Sequence, residues 1–469
     1  MTPVAPNAHH RRDVRVLIAG GCVAGLETLL ALRVLAGRRV AVTLLAPEAQ
    51  FVVRATTVGE PFDRAQGRRL DLAEVAAEHE ADLVAGSLRS VDVAAHVAVT
   101  DAGARLPFDM LVVAAGAVPT APLDGAVTFR GPADAGDMRA VLDDLVARRI
   151  RAVAFAVPRS VSWSLPLYEL ALMTSAHLIG REVRDAELTV VTPEREPLGV
   201  FGPAGAHAMR AVLAQRAIGL RAGAAPQRVE RAGLALADGS VVSADRVVTV
   251  PVLAGPGISG LPADAHGFVP VDHHGRVRGL EDVYAAGDVT AFAVKQGGLA
   301  AQQADAVAEA IAARAGAPVD PAPFRPVIRG LLLTGAEPIY LRAELRADGT
   351  AGVAAASAVL PPASASSDRP LWWPPAKVAG RYLAPYLATA RPSRLEATAL
   401  TDRPAPRGPA HPSERREALQ LALSLADADA AWGDHASALR ALEAAESLEG
   451  VLPPEYERKR EAWRAALAE

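Results

Sequence analysis

Apolar and polar positions along the chain fall into two alternating kinds of run. Short, continuous apolar runs bounded by glycine, proline or charge predict buried strands: "VRVLIA" from Val14, "VAVTLLAP" from Val40, "DMLVVAAG" from Asp109, "IRAVAFAVP" from Ile150 and "ELTVVTPE" from Glu187. Between the first two lies a mostly apolar helical stretch, Gly25 to Leu35, and between the last two lies "PLYELALMTSAHLI" from Pro166. Strand, apolar helix and strand in that order make the βαβ unit of a parallel sheet. The pattern therefore predicts an α/β chain with two such units.

The first unit carries a glycine turn, "AGGCVAGLE", Ala19 to Glu27. A dinucleotide-binding turn has glycine at three places, G-x-G-x-x-G, so that bare backbone can approach a pyrophosphate at a helix N-terminus. Gly20 and Gly25 fill the first and third places, Gly21 and Ala24 lie between them, and Cys22 stands at the second. The acid expected after the second strand, to hold a ribose hydroxyl, is displaced: Ala46 and Pro47 come first and Glu48 follows. Taken alone, this turn also fits an ordinary buried strand–helix connection.

Length and charge narrow the class. At 469 residues the chain exceeds the ~250–300 residues at which single cores stop growing, so two or three domains are expected. With 49 basic against 53 acidic side chains there is no general basic field, which argues against nucleic acid as a partner. No apolar run reaches the ~20 residues of a spanning helix, and the stretch before Val14 lacks the apolar segment of a signal peptide. The expected location is the cytoplasm. Cys22 is the single cysteine, so a dithiol relay within one chain and a multi-cysteine metal site are both excluded, and no metal site is expected.

Two further segments give the first turn a context. "LPFDMLVVAAGAVP", Leu106 to Pro119, runs a buried strand into Ala115 and Gly116, and "RVRGLEDVYAAGDVTAF", Arg276 to Phe292, ends a short strand in Gly287 and Asp288. With the first turn, in this order, they resemble the FAD-dependent pyridine nucleotide-disulfide oxidoreductases, in the branch of type II NADH dehydrogenases and sulfide:quinone oxidoreductases. The resemblance implies two Rossmann-like domains, the second inserted into a discontinuous first. Residues 13–120 and 256–320 would bind FAD, and 121–255 would form the NAD(P)-like domain. It also implies that Asp288 hydrogen-bonds the ribityl chain of FAD. The helix opening at "KQGGLAAQQ" would aim the amides of Gly297 and Gly298, with Lys295 as the candidate catalytic group, at the side of the flavin where charge develops on reduction. Arg54 falls where the family brings a loop near the flavin.

The second unit lacks its glycines. "AVPRSVSWSLPLYELAL" has Pro158, Trp163 and Pro166 where the family has a second G-x-G-x-x-G, and Glu169 aligns with the family's glutamate. Glycine would allow close approach of a pyrophosphate, and proline removes an N–H donor. The reading favours loss of NAD(P)H from this domain and leaves a reshaped nicotinamide site open.

Residues 321–390 are expected to cover the flavin. They include a loop rich in Ala, Ser and Pro from Ala354 to Pro370, then "LWWPPAKVAGRYLAPYLA", Leu371 to Ala388. That stretch gathers Trp372, Trp373, Tyr382 and Tyr386 in a chain only 4% aromatic, so packing between domains and peripheral membrane contact through 371–388 are both expectations. A proline-rich linker, 391–413, leads to a helical tail, 414–469. There Gly433, Ala438, Leu439, Leu442 and Ala445 resemble part of a tetratricopeptide repeat. One repeat cannot stand alone, so it docks on its own body, self-associates or takes a protein partner. The leading functional reading is an FAD-dependent oxidoreductase working between a small-molecule donor and a quinone or other small acceptor. An NAD(P)H-dependent reductase of a quinone or redox protein, and a non-catalytic scaffold with a partner-binding tail, remain alternatives.

Overall fold

The computed structural model describes residues 13–64, 67, 69–345, 364–372, 374–388, 412–431, 435–449 and 451–468. One parallel sheet takes β1 (Val14–Ala19), β2 (Val40–Ala46), β3 (Asp82–Ala85) and β4 (Met110–Val113). A second takes β5 (Val127–Thr128), β6 (Ala152–Ala156), β7 (Glu187–Thr192), β8 (Gly219–Ala222) and β9 (Arg246–Thr249). Later in the chain β10 (Val283–Ala285) returns to the first sheet. The two five-stranded sheets run β10-β4-β1-β2-β3 and β5-β9-β6-β7-β8. Every pairing within them is parallel.

The strands predicted from continuous apolar runs are buried because helices cover them. Helix α1 (Val23–Leu35) buries every residue from Ala24 to Leu32. In the second sheet α2 (Leu165–Gly180) does the same from Leu167 to Ser175. Helix α3 (Gly297–Arg314) packs along α1, their alanines and leucines sharing one core with Tyr284 of β10.

A third layer is antiparallel: β11 (Val327–Leu332), β12 (Ile339–Glu344) and β13 (Ser364–Ser367). The last strand lies inside the stretch expected as loop. Its serines and alanine have little strand preference of their own, and pairing of Ser367 with Tyr340 through Ser364 with Ala343 supplies the ladder. The rest of that expected loop up to 363, the linker from 391 to 411, Trp373 and Gly433 lie outside the described residues.

The aromatic stretch turns inward. Trp372 is fully buried, donates from Nε1 to the Ala376 carbonyl and packs edge-on against Tyr340 with ring centres 5.2 Å apart. Tyr382 and Tyr386 are buried in the core shared by α1 and α3. These three rings are interior and pack within the protein. Of the two expectations for this stretch, packing is the one its rings follow.

The short helix α4 (Leu383–Ala388) ends against the tail, which forms α5 (Pro412–Ala431), α6 (His435–Glu449) and α7 (Pro454–Ala468). Ala388 joins Ala422, Leu423, Ala426 and Leu442 in one apolar cluster. Burial pushes the Tyr340 hydroxyl up from its ordinary pKa, and the nearby charge of Arg440 of α6 counters it. Among the described residues no helix is long and apolar enough to cross a membrane.

Candidate flavin cradle

The first turn is as tight as its glycines predict. Gly20 has φ +133°, and a Cβ there would stand 2.1 Å from the Ala114 carbonyl oxygen. A Cβ on Gly25 would stand 1.8 Å from the Gly20 carbonyl oxygen, and one on Gly21 would meet Leu72 at 2.6 Å. A side chain at Gly20 would push the turn off the backbone at Ala114, and one at Gly25 would push the helix off the turn. Cys22 is different: it is the N-cap of α1 in extended backbone, φ −95°, which any residue adopts. Its side chain is exposed and caps nothing. The helix therefore presents its first N–H groups without a side-chain cap, as an anion site requires.

The three motifs meet at this turn. Ala114 N–H bonds the Ala19 carbonyl at 2.8 Å, so the Ala115–Gly116 turn leaves β4 beside Gly20. Gly287, with φ +84°, comes so close to α1 and α3 that a Cβ would meet Ala24 at 3.0 Å and Ala300 at 3.5 Å. Electrostatics place the rest. Although its surface is open, desolvation by the surrounding chain pushes the Cys22 thiol up; Arg54 draws it down, while Glu48 and Asp288 raise it further. Glu48, Arg54 and Asp288 thus lie within electrostatic range of Cys22.

Asp288 could have been a simple turn aspartate. Its carboxylate accepts no hydrogen bond among the described residues. Burial raises its pKa, and Lys295 and Arg54 counter that. Lys295 is buried, donates to the Thr290 carbonyl and lies with its Nζ 3.8 Å from the centre of the Phe268 ring. Desolvation lowers its pKa to about 8 against the pull of Asp288 and Asp264. The lysine braces the loop that carries Asp288. At the start of α3 the Gln296 side chain accepts from Leu299 N–H at 2.9 Å, so the Gly297 and Gly298 amides stay outside the helical ladder. Val378 and Ala379 pack beside these two glycines, and Val23 borders Gly297.

Sequence reasoning missed what holds the C-terminal segment there. Glu27, the fifth residue of α1, is fully buried and accepts from the Tyr382 and Leu383 amides at 2.7 Å each. Glu169, the fifth residue of α2, accepts from Leu333 N–H at 2.8 Å and pairs with Lys377. Each helix, at the same position, uses a buried carboxylate to hold the C-terminal segment, at Leu333 and Lys377 for Glu169 and at Tyr382 and Leu383 for Glu27. Burial pushes Glu27 up to about 7. Asp305 of α3 is raised as well, by burial first and by the neighbouring Glu27 charge second. A lone acid inside the buried run "AGLETLLAL" was the available signal for Glu27. Among the described residues no group of three or more His, Cys, Asp or Glu could hold a metal.

Two parallel sheets with apolar helices, and a glycine turn that meets two further motifs, define the class: an α/β oxidoreductase scaffold with two dinucleotide-type domains. Residues 168–312 match the family described as pyridine nucleotide-disulphide oxidoreductase. The match begins just after the glycine-free turn and runs through Asp288. No curated protein matches the chain by sequence.

Among solved structures it is similar to the sulfide:quinone oxidoreductase of Aquifex aeolicus. That likeness has TM-score 0.64 and 21% identity over 76% of this chain and 87% of that one. It is also similar to a ferredoxin reductase of Rhodopseudomonas palustris, with TM-score 0.56, 17% identity and coverage of 70% and 82%. A NAD-dependent persulfide reductase of A. fulgidus follows at TM-score 0.51 and 18% identity, covering 70% and 64%. At these identities the likeness is one of fold.

Proposed function

We propose that the chain binds FAD in the cleft formed by Gly20–Gly25, Glu48, Arg54, Ala115–Gly116, Gly287–Asp288 and Gly297–Gly298, and passes electrons through it to a quinone or another small acceptor. The carrying observation is Asp288, a carboxylate that takes no turn or cap bond and has Arg54 and Lys295 in electrostatic range. The residues present suit the cofactor. The open N-terminus of α1 suits a pyrophosphate, Glu48 a ribose hydroxyl, Asp288 a polyol chain, and the start of α3 the electron-rich edge of the ring.

Bound flavin supplies the electron chemistry. The chain's part is to hold it, to offset the burial of Asp288 with the charges of Lys295 and Arg54, and to cover the start of α3 with Val378 and Ala379. A single cysteine leaves no paired thiol beside the flavin, so electrons do not travel through a disulfide within one chain. The sulfide:quinone oxidoreductase among the fold neighbours supports a quinone as acceptor.

The test is the absorbance spectrum of the purified protein with FAD supplied during expression. Oxidised flavin bands, identified as FAD after denaturation, are expected. Their absence would overturn the proposal. Asp288→Ala should release flavin on gel filtration, whereas a turn aspartate would leave it bound.

A further inference from the structure

The two Rossmann-like halves place equivalent residues at equivalent points, so one serves as a control for the other. In the first half Glu48 stands two residues beyond the end of β2 at Ala46, and in the second Glu194 stands two beyond the end of β7 at Thr192. Glu48 is exposed and acts on the turn at Cys22, as a residue holding a ribose across that turn would. Glu194 is the reverse. It is only 9% exposed, and its carboxylate accepts from the hydroxyls of Ser164 at 3.1 Å, Tyr168 at 2.7 Å and Thr192 at 3.0 Å. Ser164 and Tyr168 belong to the turn and the start of α2, so the acid is drawn beneath the turn instead of standing across it. Burial pushes its pKa up while the three hydroxyls counter, which makes the cluster self-satisfied.

The surroundings close the same place. The connection from Val157 to Ser164 contains no glycine, so it offers no bare backbone like that of Gly20. Pro166 in the first turn of α2 deletes one of the N–H groups that α1 presents. Trp163 packs edge-on against Phe201 with ring centres 5.8 Å apart, and Phe201 is itself fully buried.

We infer that the second half excludes NAD(P)H. Glu194, Ser164 and Tyr168 form a closed hydroxyl–carboxylate cluster where a dinucleotide ribose would be held, with Trp163 and Phe201 packed beside it. The inference rests on the oxidoreductase reading and narrows its donor to a reductant that carries no nicotinamide dinucleotide. The half keeps its fold for another use: its helix grips the C-terminal segment through Glu169.

Two measurements on the full-length holoprotein test this. In an anaerobic titration NADH and NADPH at ~1 mM, the upper end of ordinary substrate affinity, should leave the flavin band unchanged over minutes, while dithionite bleaches the same sample. Calorimetry with NAD⁺ over the same range should show no saturable heat. Bleaching by either reduced nucleotide, or saturable NAD⁺ binding, would overturn the inference. A protein lacking flavin bands before titration would count against the FAD reading alone, and the calorimetry would still decide the exclusion of the dinucleotide.

Discussion

Cys22 shows how one side chain can depart from a motif without breaking it. The glycines that the turn needs are those whose Cβ would strike backbone, Gly20 and Gly25, whereas Cys22 has ordinary extended geometry and room for its thiol. Cys22→Gly should therefore leave FAD retention unchanged or improve it, read as the flavin-to-protein absorbance ratio after dialysis. A clear loss would mean that the thiol contributes to binding. Its pKa is raised by burial and by Glu48 and Asp288, against Arg54, so the thiolate is scarce at neutral pH. Iodoacetamide should label it more slowly at pH 7 than it labels a free cysteine peptide, despite its exposure. Faster labelling would show that Arg54 outweighs burial.

At the scale of elements, the clamp on the C-terminal segment couples stability to pH. Glu27 is pushed up to about 7, and Asp305 is raised in the same direction. Above about pH 4.5, where an unfolded glutamate has released its proton, the folded pair still holds protons. Its stabilising share is therefore complete below that pH and is lost as pH rises through about 7. Asp305→Asn keeps an N–H donor toward Glu27 without needing a proton. It should flatten the fall in Tm between about pH 5 and pH 7 relative to wild type, as read by calorimetry; an identical slope would sink the coupling. In the same segment Trp372→Ala should cost ~3–5 kcal/mol, because it empties a fully buried site against Tyr340. A denaturant midpoint that did not move would show that the ring is dispensable for packing.

The contrast between strands and clamps explains what the sequence made legible. Strands β1, β2 and β6, the turn at Gly20 and the Gly287–Asp288 motif are written in neighbouring residues, as apolar runs and turn chemistry. Glu27 meets Tyr382 and Glu169 meets Lys377 across more than 200 positions, so local spacing carries no trace of either pairing. Strand β13 was hidden for a related reason: its ladder comes from β12 and not from its own residues.

At the scale of the whole molecule, the helical tail packs on the body. Ala388, the last residue of α4, shares a cluster with Ala422, Leu423, Ala426 and Leu442, and Arg440 reaches Tyr340 on β12. Tyr340 in turn packs on Trp372, whose segment continues through Val378 beside Gly297 and Tyr382 at Glu27. The tail is therefore joined to the cleft by a continuous set of packed residues. Truncating the chain before Pro412 should expose the end of α4 and remove the Arg440 charge near the Tyr340 hydroxyl. The Tm should fall by several degrees, since ~1 kcal/mol shifts a domain of 150–250 residues by about 2–4 °C. Flavin should also be released faster under mild urea. An unchanged Tm and unchanged flavin release would mean that the tail contributes nothing to the body it touches. Its apolar face would then have to be explained by a partner outside the chain.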